Sequence, residues 1–143
     1  MEKATEIGVS EITPIISHNS ERSKFNYDRA TKLLLSAMKQ SLQYKLPILN
    51  NPTSILDYIS NRDDSYDSYI ATCVVNGLDL FDKKLCKGNN SDILIGPEGG
   101  FDLSEIDLAK KANFVPVSLG KNRLRTETAG VVVCSIFSNI NYI

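Results

Sequence analysis

Two short stretches hold residues whose types and spacing suit chemistry. Gly96-Pro97-Glu98-Gly99-Gly100 places three glycines within five residues, directly after the apolar run Ile93-Leu94-Ile95. Backbone without side chains can take φ > 0 and approach a ligand closely. A plain tight turn is the competing reading of the same residues. The second stretch follows the apolar run Val115 to Leu119 and reads Gly120-Lys121-Asn122-Arg123-Leu124-Arg125-Thr126-Glu127-Thr128-Ala129. Thr126 or Thr128 can cap the apolar helix that comes next, and Glu127 in its first turn suits the helix dipole. Capping does not explain Arg125, because a cation is unfavourable at a helix N-terminus. Neither stretch ends in the Gly-Lys-Ser/Thr of a phosphate loop or has the spacing of a dinucleotide fingerprint. Ligands of open α/β sheets sit beyond the carboxyl ends of the strands, so two such loops after two strands can converge on one pocket.

The elements that must position these loops are legible as alternating strands and helices. Met1 to Gly8 reads as the last turns of a helix stopped by Gly8. Ile12 to Ile16 is a short apolar strand made irregular, or confined to an edge, by Pro14. Ser17 to Asn26 is a polar loop in which Arg22 and Lys24 are either phosphate contacts or solvated side chains. Ala30, Leu33, Leu34, Ala37, Met38, Ser41 and Leu42 keep i, i+3, i+4, i+7 spacing, which predicts a helix over 27–43. Residues 44–51 are extended around Pro47, and Pro52-Thr53-Ser54 opens a short helix over 55–59.

Residues 69–74 read as a buried parallel strand that carries Thr72 near its end. A short helix over 78–85 follows. Asp102 and Glu105 form a capping-box pattern for a helix running to about Asn113. The run Val131-Val132-Val133 favours a strand by propensity. However, Ala129, Val132, Val133, Ile136, Phe137 and Ile140 keep helical spacing, which predicts a last helix over 126–140. Together these predict one α/β domain over residues 1–143, with a mostly parallel sheet and helices on both faces.

Bulk properties narrow the function classes. The chain has 143 residues, 42% apolar and 23% charged, which suits one soluble globular domain. A formal net charge of −1 argues against a free-standing nucleic-acid binder but leaves room for an enzyme with a local RNA patch. Cys73, Cys86 and Cys134 are far apart and odd in number, so neither a disulfide framework nor a zinc site is expected, and a reducing cytoplasm fits best. Cys73 and Cys134 lie in apolar runs and read as small core residues. The one histidine, His18, reads as a loop residue. No metal and no membrane partner are expected, since no apolar run approaches the ~18 residues needed to span a bilayer.

The two loops, Ile95-Gly96-Pro97-Glu98-Gly99-Gly100-Phe101 and Leu119-Gly120 followed by Leu124-Arg125-Thr126-Glu127-Thr128-Ala129, resemble the signature loops of one family. These are the RsmE-type 16S ribosomal RNA (uracil-N3)-methyltransferases of the SPOUT class. Lys3-Ala4-Thr5-Glu6-Ile7-Gly8-Val9, Pro14 with Arg22-Ser23, and Gln40-Ser41 with Pro47 fit the same family. The resemblance covers nearly the whole chain. It implies a C-terminal trefoil knot, a homodimer, and methyl transfer from S-adenosyl-L-methionine to uridine N3 in 16S ribosomal RNA of the 30S subunit. It also implies that the family's N-terminal PUA-like domain is absent from this chain.

The resemblance places cofactor binding at Thr72, Ile95, Gly96, Glu98, Gly99, Gly100, Leu119, Gly120, Leu124, Thr126 and Ala129. It places RNA contacts at Arg22, Arg123 and Arg125. Catalysis falls to Arg125, which would stabilise the charge on N3 or hold a phosphate, and to Glu127, which would orient Arg125, act as base, or simply start the helix. Asn122 departs from the arginine the family has there, with Arg123 one residue out of place. The alternatives are a SPOUT enzyme with another RNA target, or a shortened or degenerate domain that binds cofactor and dimerises without methylating.

Overall fold

The structure is a computed structural model describing residues 1–20 and 24–142. The chain starts with α1 (Glu2–Ile7), β1 (Glu11–Ile12), β2 (Ile15–Ile16), α2 (Tyr27–Gln40), β3 (Ile48–Leu49) and β4 (Thr53–Ser54). It continues with α3 (Ile55–Asn61), β5 (Asp67–Ala71), α4 (Phe81–Lys84), β6 (Ser91–Ile95), α5 (Leu103–Lys111), β7 (Val115–Val117) and α6 (Thr126–Tyr142).

Every strand pairing among these elements is parallel. The central sheet has the order β6-β5-β7, with Ile70 of β5 opposite Leu94 on one side and Pro116 on the other. Pro116 has no N–H to give a ladder, and β7 accommodates it as an edge strand. Side chains alternate across the sheet. Ile70 and Leu94 face α3 and α5, where Ile55, Ile59, Ile106 and Ala109 complete one core. Tyr69 and Val117 face α4 and α6 with Phe81 and Val133, and Ile93 and Ile95 pack against that second core. Each side chain fully buried in these cores contributes about 1.5–3 kcal/mol. The α/β class with helices on both faces is therefore as expected.

Pro14 and Pro52 break a second ladder. β1 pairs with β3 and β2 with β4, and the register runs from Ile12↔Leu49 to Ile15↔Thr53. Three steps on one strand thus match four on the other, the signature of a bulge. The ladder bridges the break through the Thr53 N–H, which donates to the Pro14 carbonyl at 3.0 Å.

Local signals placed most helix ends. Gly8 closes α1 in the left-handed region at φ 105°. The Asp102 carboxylate and Glu105 form the full capping box of α5. α2 stops at Gln40 rather than residue 43, because Ser41 turns its hydroxyl onto the Ala37 carbonyl (2.7 Å) and Leu42 adopts φ 56°. The strand expected over 69–74 covers Asp67–Ala71 instead, and Thr72 to Val74 belong to the following loop. The helix expected over 78–85 is a single turn, because Leu80 bridges Ser118 in parallel and extends the sheet edge. Two cysteine expectations were wrong. Cys73 is exposed because β5 ends before it, and Cys134 is only half-buried on α6. Among the described residues no helix is long and apolar enough to cross a membrane.

Candidate functional site

Strands β5, β6 and β7 end on the same side of the sheet, and the loop after each lines one open cleft. From the β5 end come Ala71 to Val74. The β6 loop supplies Ile95 to Glu98, Gly100 and Phe101, and the β7 loop supplies Ser118 to Gly120, Asn122 to Leu124, Thr126 and Ala129. This is the topological position where open α/β sheets bind ligands.

Each loop has its own fold. Between Pro97 and Gly100 the chain makes a turn closed by the Gly100 N–H on the Pro97 carbonyl (2.8 Å), with Gly100 at φ 71°. A Cβ on Gly96 would lie 3.1 Å from the Phe101 nitrogen and 3.2 Å from its ring. Gly96 is therefore small because the loop folds back on itself, in addition to facing the cleft. The β7 loop is closed by Ser118, whose hydroxyl donates to the Gly120 carbonyl (3.1 Å).

Two bonds tie the loops together. The Thr126 hydroxyl donates to the Gly96 carbonyl at 2.7 Å, and the Arg123 guanidinium donates to the Glu98 carbonyl at 2.7 Å. Neither threonine capping expectation explains Thr126, because its hydroxyl is turned to the neighbouring loop. The helix begins instead with the Ala129 N–H on the Arg125 carbonyl (2.8 Å).

The far side of the β6 loop is also braced. Buried Glu105 accepts from the Asp102 N–H (3.0 Å) and from the His18 N–H (2.7 Å). Asn19 donates its amide to the carbonyls of Gly99 (3.4 Å) and Gly100 (3.0 Å).

The cleft therefore gathers Thr72, Ile95, Gly96, Glu98, Gly100, Leu119, Gly120, Arg123, Leu124, Thr126 and Ala129. Gly99 is not in the lining. It faces outward against Asn19, where a Cβ would lie 2.9 Å from the Asn19 Cβ. Arg125, directly before α6, and Glu127, in its first turn, are also outside the lining and exposed beside the cleft. Arg22 lies outside the described residues. The sequence reading missed Ala71, Cys73, Val74, Pro97, Phe101, Ser118 and Asn122 in the lining, and Asn19 and Glu105 behind it. Pro97 and Phe101 sit inside the glycine motif and Ser118 directly precedes Leu119, so proximity could have found them. Nothing in sequence spacing points to Asn19.

The lining has a definite chemistry. Among the described residues its charged side chains are Glu98 and Arg123, and the Arg123 guanidinium is already engaged by a carbonyl. The remainder is glycine backbone, small hydroxyls, the Asn122 amide, the Cys73 thiol and apolar side chains. Such a cleft suits a flat heterocycle and an uncharged or cationic group better than a polyphosphate. Its enclosed volume is about 90 Å³, below the roughly 300–1,000 Å³ of closed small-molecule sites, because the cleft stays open to solvent. A larger concavity of about 240 Å³ lies between α1 and α2, but its Lys3 already pairs with Glu6 at 2.9 Å and it is remote from the strand ends.

A family profile for the RNA methyltransferase domain matches residues 1–138. The chain belongs to that family. It is 34% identical over 92% of its length to the ribosomal RNA small subunit methyltransferase E of Mesomycoplasma hyopneumoniae, and 31% identical over 90% to that of Rickettsia conorii. It covers 59% and 53% of those two proteins, so it spans little more than half of the curated relatives. Among solved structures it is similar to a probable rRNA-methyltransferase from Porphyromonas gingivalis, with a TM-score of 0.93, 39% identity, and coverage of 99% of this chain and 60% of that one. It is also similar to a ribosomal RNA small subunit methyltransferase E from Neisseria gonorrhoeae bound to S-adenosyl methionine, with a TM-score of 0.83, 25% identity, and coverage of 98% and 59%. The methyltransferase-family reading of the two loops agrees with these matches.

Proposed function

We propose that residues 1–143 form the methyl-transferring domain of an enzyme that methylates N3 of a uridine in 16S ribosomal RNA, using S-adenosyl-L-methionine. The observation that carries this reading is the single cleft lined jointly by the Gly96–Gly100 and Leu119–Ala129 loops. The cleft's donor set fits the cofactor. Open space around Gly100 and Gly120 exposes backbone for an adenine edge, and Ile95, Leu119, Leu124 and Ala129 provide apolar walls. The carbonyls and Glu98 favour a cationic sulfonium, and among the described lining residues the one guanidinium, that of Arg123, is engaged by a carbonyl. When bound, S-adenosyl-L-methionine supplies an electrophilic methyl group on its sulfur.

The chain's own residues then orient and stabilise. Arg125 and Glu127 sit exposed at the mouth, on the side from which RNA would arrive. Arg125 stabilises the negative charge that develops as N3 loses its proton, and Glu127 orients Arg125 or takes that proton. One N–C bond forms, one S–C bond breaks, and the N3 proton leaves. N3 lies on the pairing edge, so the base must be unpaired or flipped out. Arg22 and Arg125 meet RNA phosphate. Arg123 is held by Glu98, so its RNA contact requires that bond to be exchanged.

The same reading includes a homodimer, a C-terminal trefoil knot and action in the cytoplasm on the 30S subunit. Ala129 and Val133 of α6 are buried and Ile136 packs on the second core, which leaves Val131, Val132 and Phe137 partly exposed for a second copy. The test is incubation of purified protein with labelled cofactor and 30S particles lacking the modification, beside a full-length relative as control. Label at a uridine N3 of 16S RNA is expected. Label in a different RNA, or none where the control is active, refutes the assignment.

A further inference from the structure

The residues behind the glycine loop carry more than packing. The turn Ser17–Ser20 is closed on itself by the Ser20 N–H on the Ser17 carbonyl (3.1 Å) and by the Ser17 N–H on the Ser20 hydroxyl (3.0 Å). Its next link, the His18 N–H, is locked by buried Glu105, which also holds the Asp102 N–H at the end of the glycine loop. The turn is thus a fixed platform, and Asn19 projects from it. The Asn19 amide reaches two successive carbonyls, Gly99 and Gly100.

A trans peptide is planar, and its N–H points opposite to its C=O. No cis peptide occurs among the described residues. Holding the Gly99 carbonyl outward therefore turns the Gly100 N–H inward, where it meets the Pro97 carbonyl at 2.8 Å. Holding the Gly100 carbonyl outward turns the Phe101 N–H toward Gly96, and both residues line the cleft. Gly99 is glycine at this point because Asn19 occupies the space a side chain would need.

The geometry points to Asn19 as a positioning residue, whose amide fixes the outward carbonyls of the glycine loop so that the loop's backbone faces the cleft in cofactor-binding form. This deepens the reading above and rests on it.

The test compares wild type, Asn19→Ala and Asn19→Asp. Aspartate keeps the shape but only accepts hydrogen bonds at neutral pH, so it faces two carbonyls with no donor. Three readouts are taken: cofactor affinity by calorimetry, the global unfolding midpoint, and ligand-free hydrogen exchange of the Gly100 and Phe101 amides. Losing this exposed two-carbonyl bond should weaken S-adenosyl-L-methionine binding about threefold in Asn19→Ala and more in Asn19→Asp. Both amides should exchange faster, with the global midpoint nearly unchanged. A merely structural residue would lower the midpoint and leave the affinity of the folded protein alone, and that result overturns the inference. Unchanged affinity and unchanged exchange also overturn it. If wild type itself binds no cofactor, the functional reading fails. The exchange data then separate the two, since faster loop exchange keeps the brace and removes only its cofactor role. Should Asn19→Ala not fold, Asn19→Asp carries the same comparison.

Discussion

Replacing Thr126 by valine removes one hydroxyl while keeping the branched shape. The lost bond is the 2.7 Å donation to the Gly96 carbonyl, part-buried at the junction of the two loops. Gly96 has little room to shift toward another partner, because even a Cβ added there would crowd the Phe101 nitrogen and ring. Leaving a partly buried carbonyl unsatisfied costs about 1–2 kcal/mol. For a chain of this size that lowers the unfolding midpoint by a few degrees. The same free energy, applied to the assembled cleft, weakens cofactor binding by up to about tenfold. Thermal unfolding and calorimetry of Thr126→Val and Thr126→Ser measure both effects. Serine keeps the donor and should stay near wild type in cofactor affinity. A valine variant that melts and binds like wild type would refute the view that this hydroxyl latches the loops.

Glu105→Gln leaves one of two buried N–H groups, His18 or Asp102, facing an amide instead of a carboxylate, and should destabilise by about 1–3 kcal/mol in urea unfolding. The Asp102 carboxyl is held below its ordinary 3.8 by the Ser104 hydroxyl and then by the Glu105 N–H. A depressed carboxyl stabilises the fold above its unfolded pKa and loses that contribution as pH falls through its folded value. Asp102→Asn should therefore flatten the stability loss seen in wild type below about pH 4, read by unfolding midpoints at several pH values. Burial pushes the Cys134 thiol up, whereas Cys73 is exposed in the cleft lining. Iodoacetamide should modify Cys73 before Cys134, and bound cofactor should slow the reaction at Cys73 alone, as read by peptide mass spectrometry. Ile70→Ala, at the fully buried centre of β5, should cost about 2–5 kcal/mol.

What sequence revealed was what chain-local chemistry decides. The capping box at Asp102 and Glu105 and the left-handed stop at Gly8 depend on residues within one turn, and both occur as read. Helical period outweighed the β propensity of Val131 to Val133, because Val133 packs against Tyr69 and Phe81 in one core. What sequence hid was set by partners far along the chain. The end of β5 depends on where β6 and β7 stop supplying hydrogen bonds, so Cys73 and Val74 left the strand. Thr126 looked like a cap because caps and cross-loop donors use the same residue type, and only the position of Gly96 distinguishes them. Asn19, 80 residues from Gly99, has no sequence signature for its role.

The central claim is that the two loops form one cofactor cleft. Calorimetric titration of the purified chain with S-adenosyl-L-methionine, with ATP as control, tests it most directly. The account predicts micromolar binding of S-adenosyl-L-methionine, about −8 kcal/mol, and none of ATP, since Arg123 is occupied and no other cation among the described residues lines the cleft. Binding of ATP instead, or of neither ligand, would contradict it.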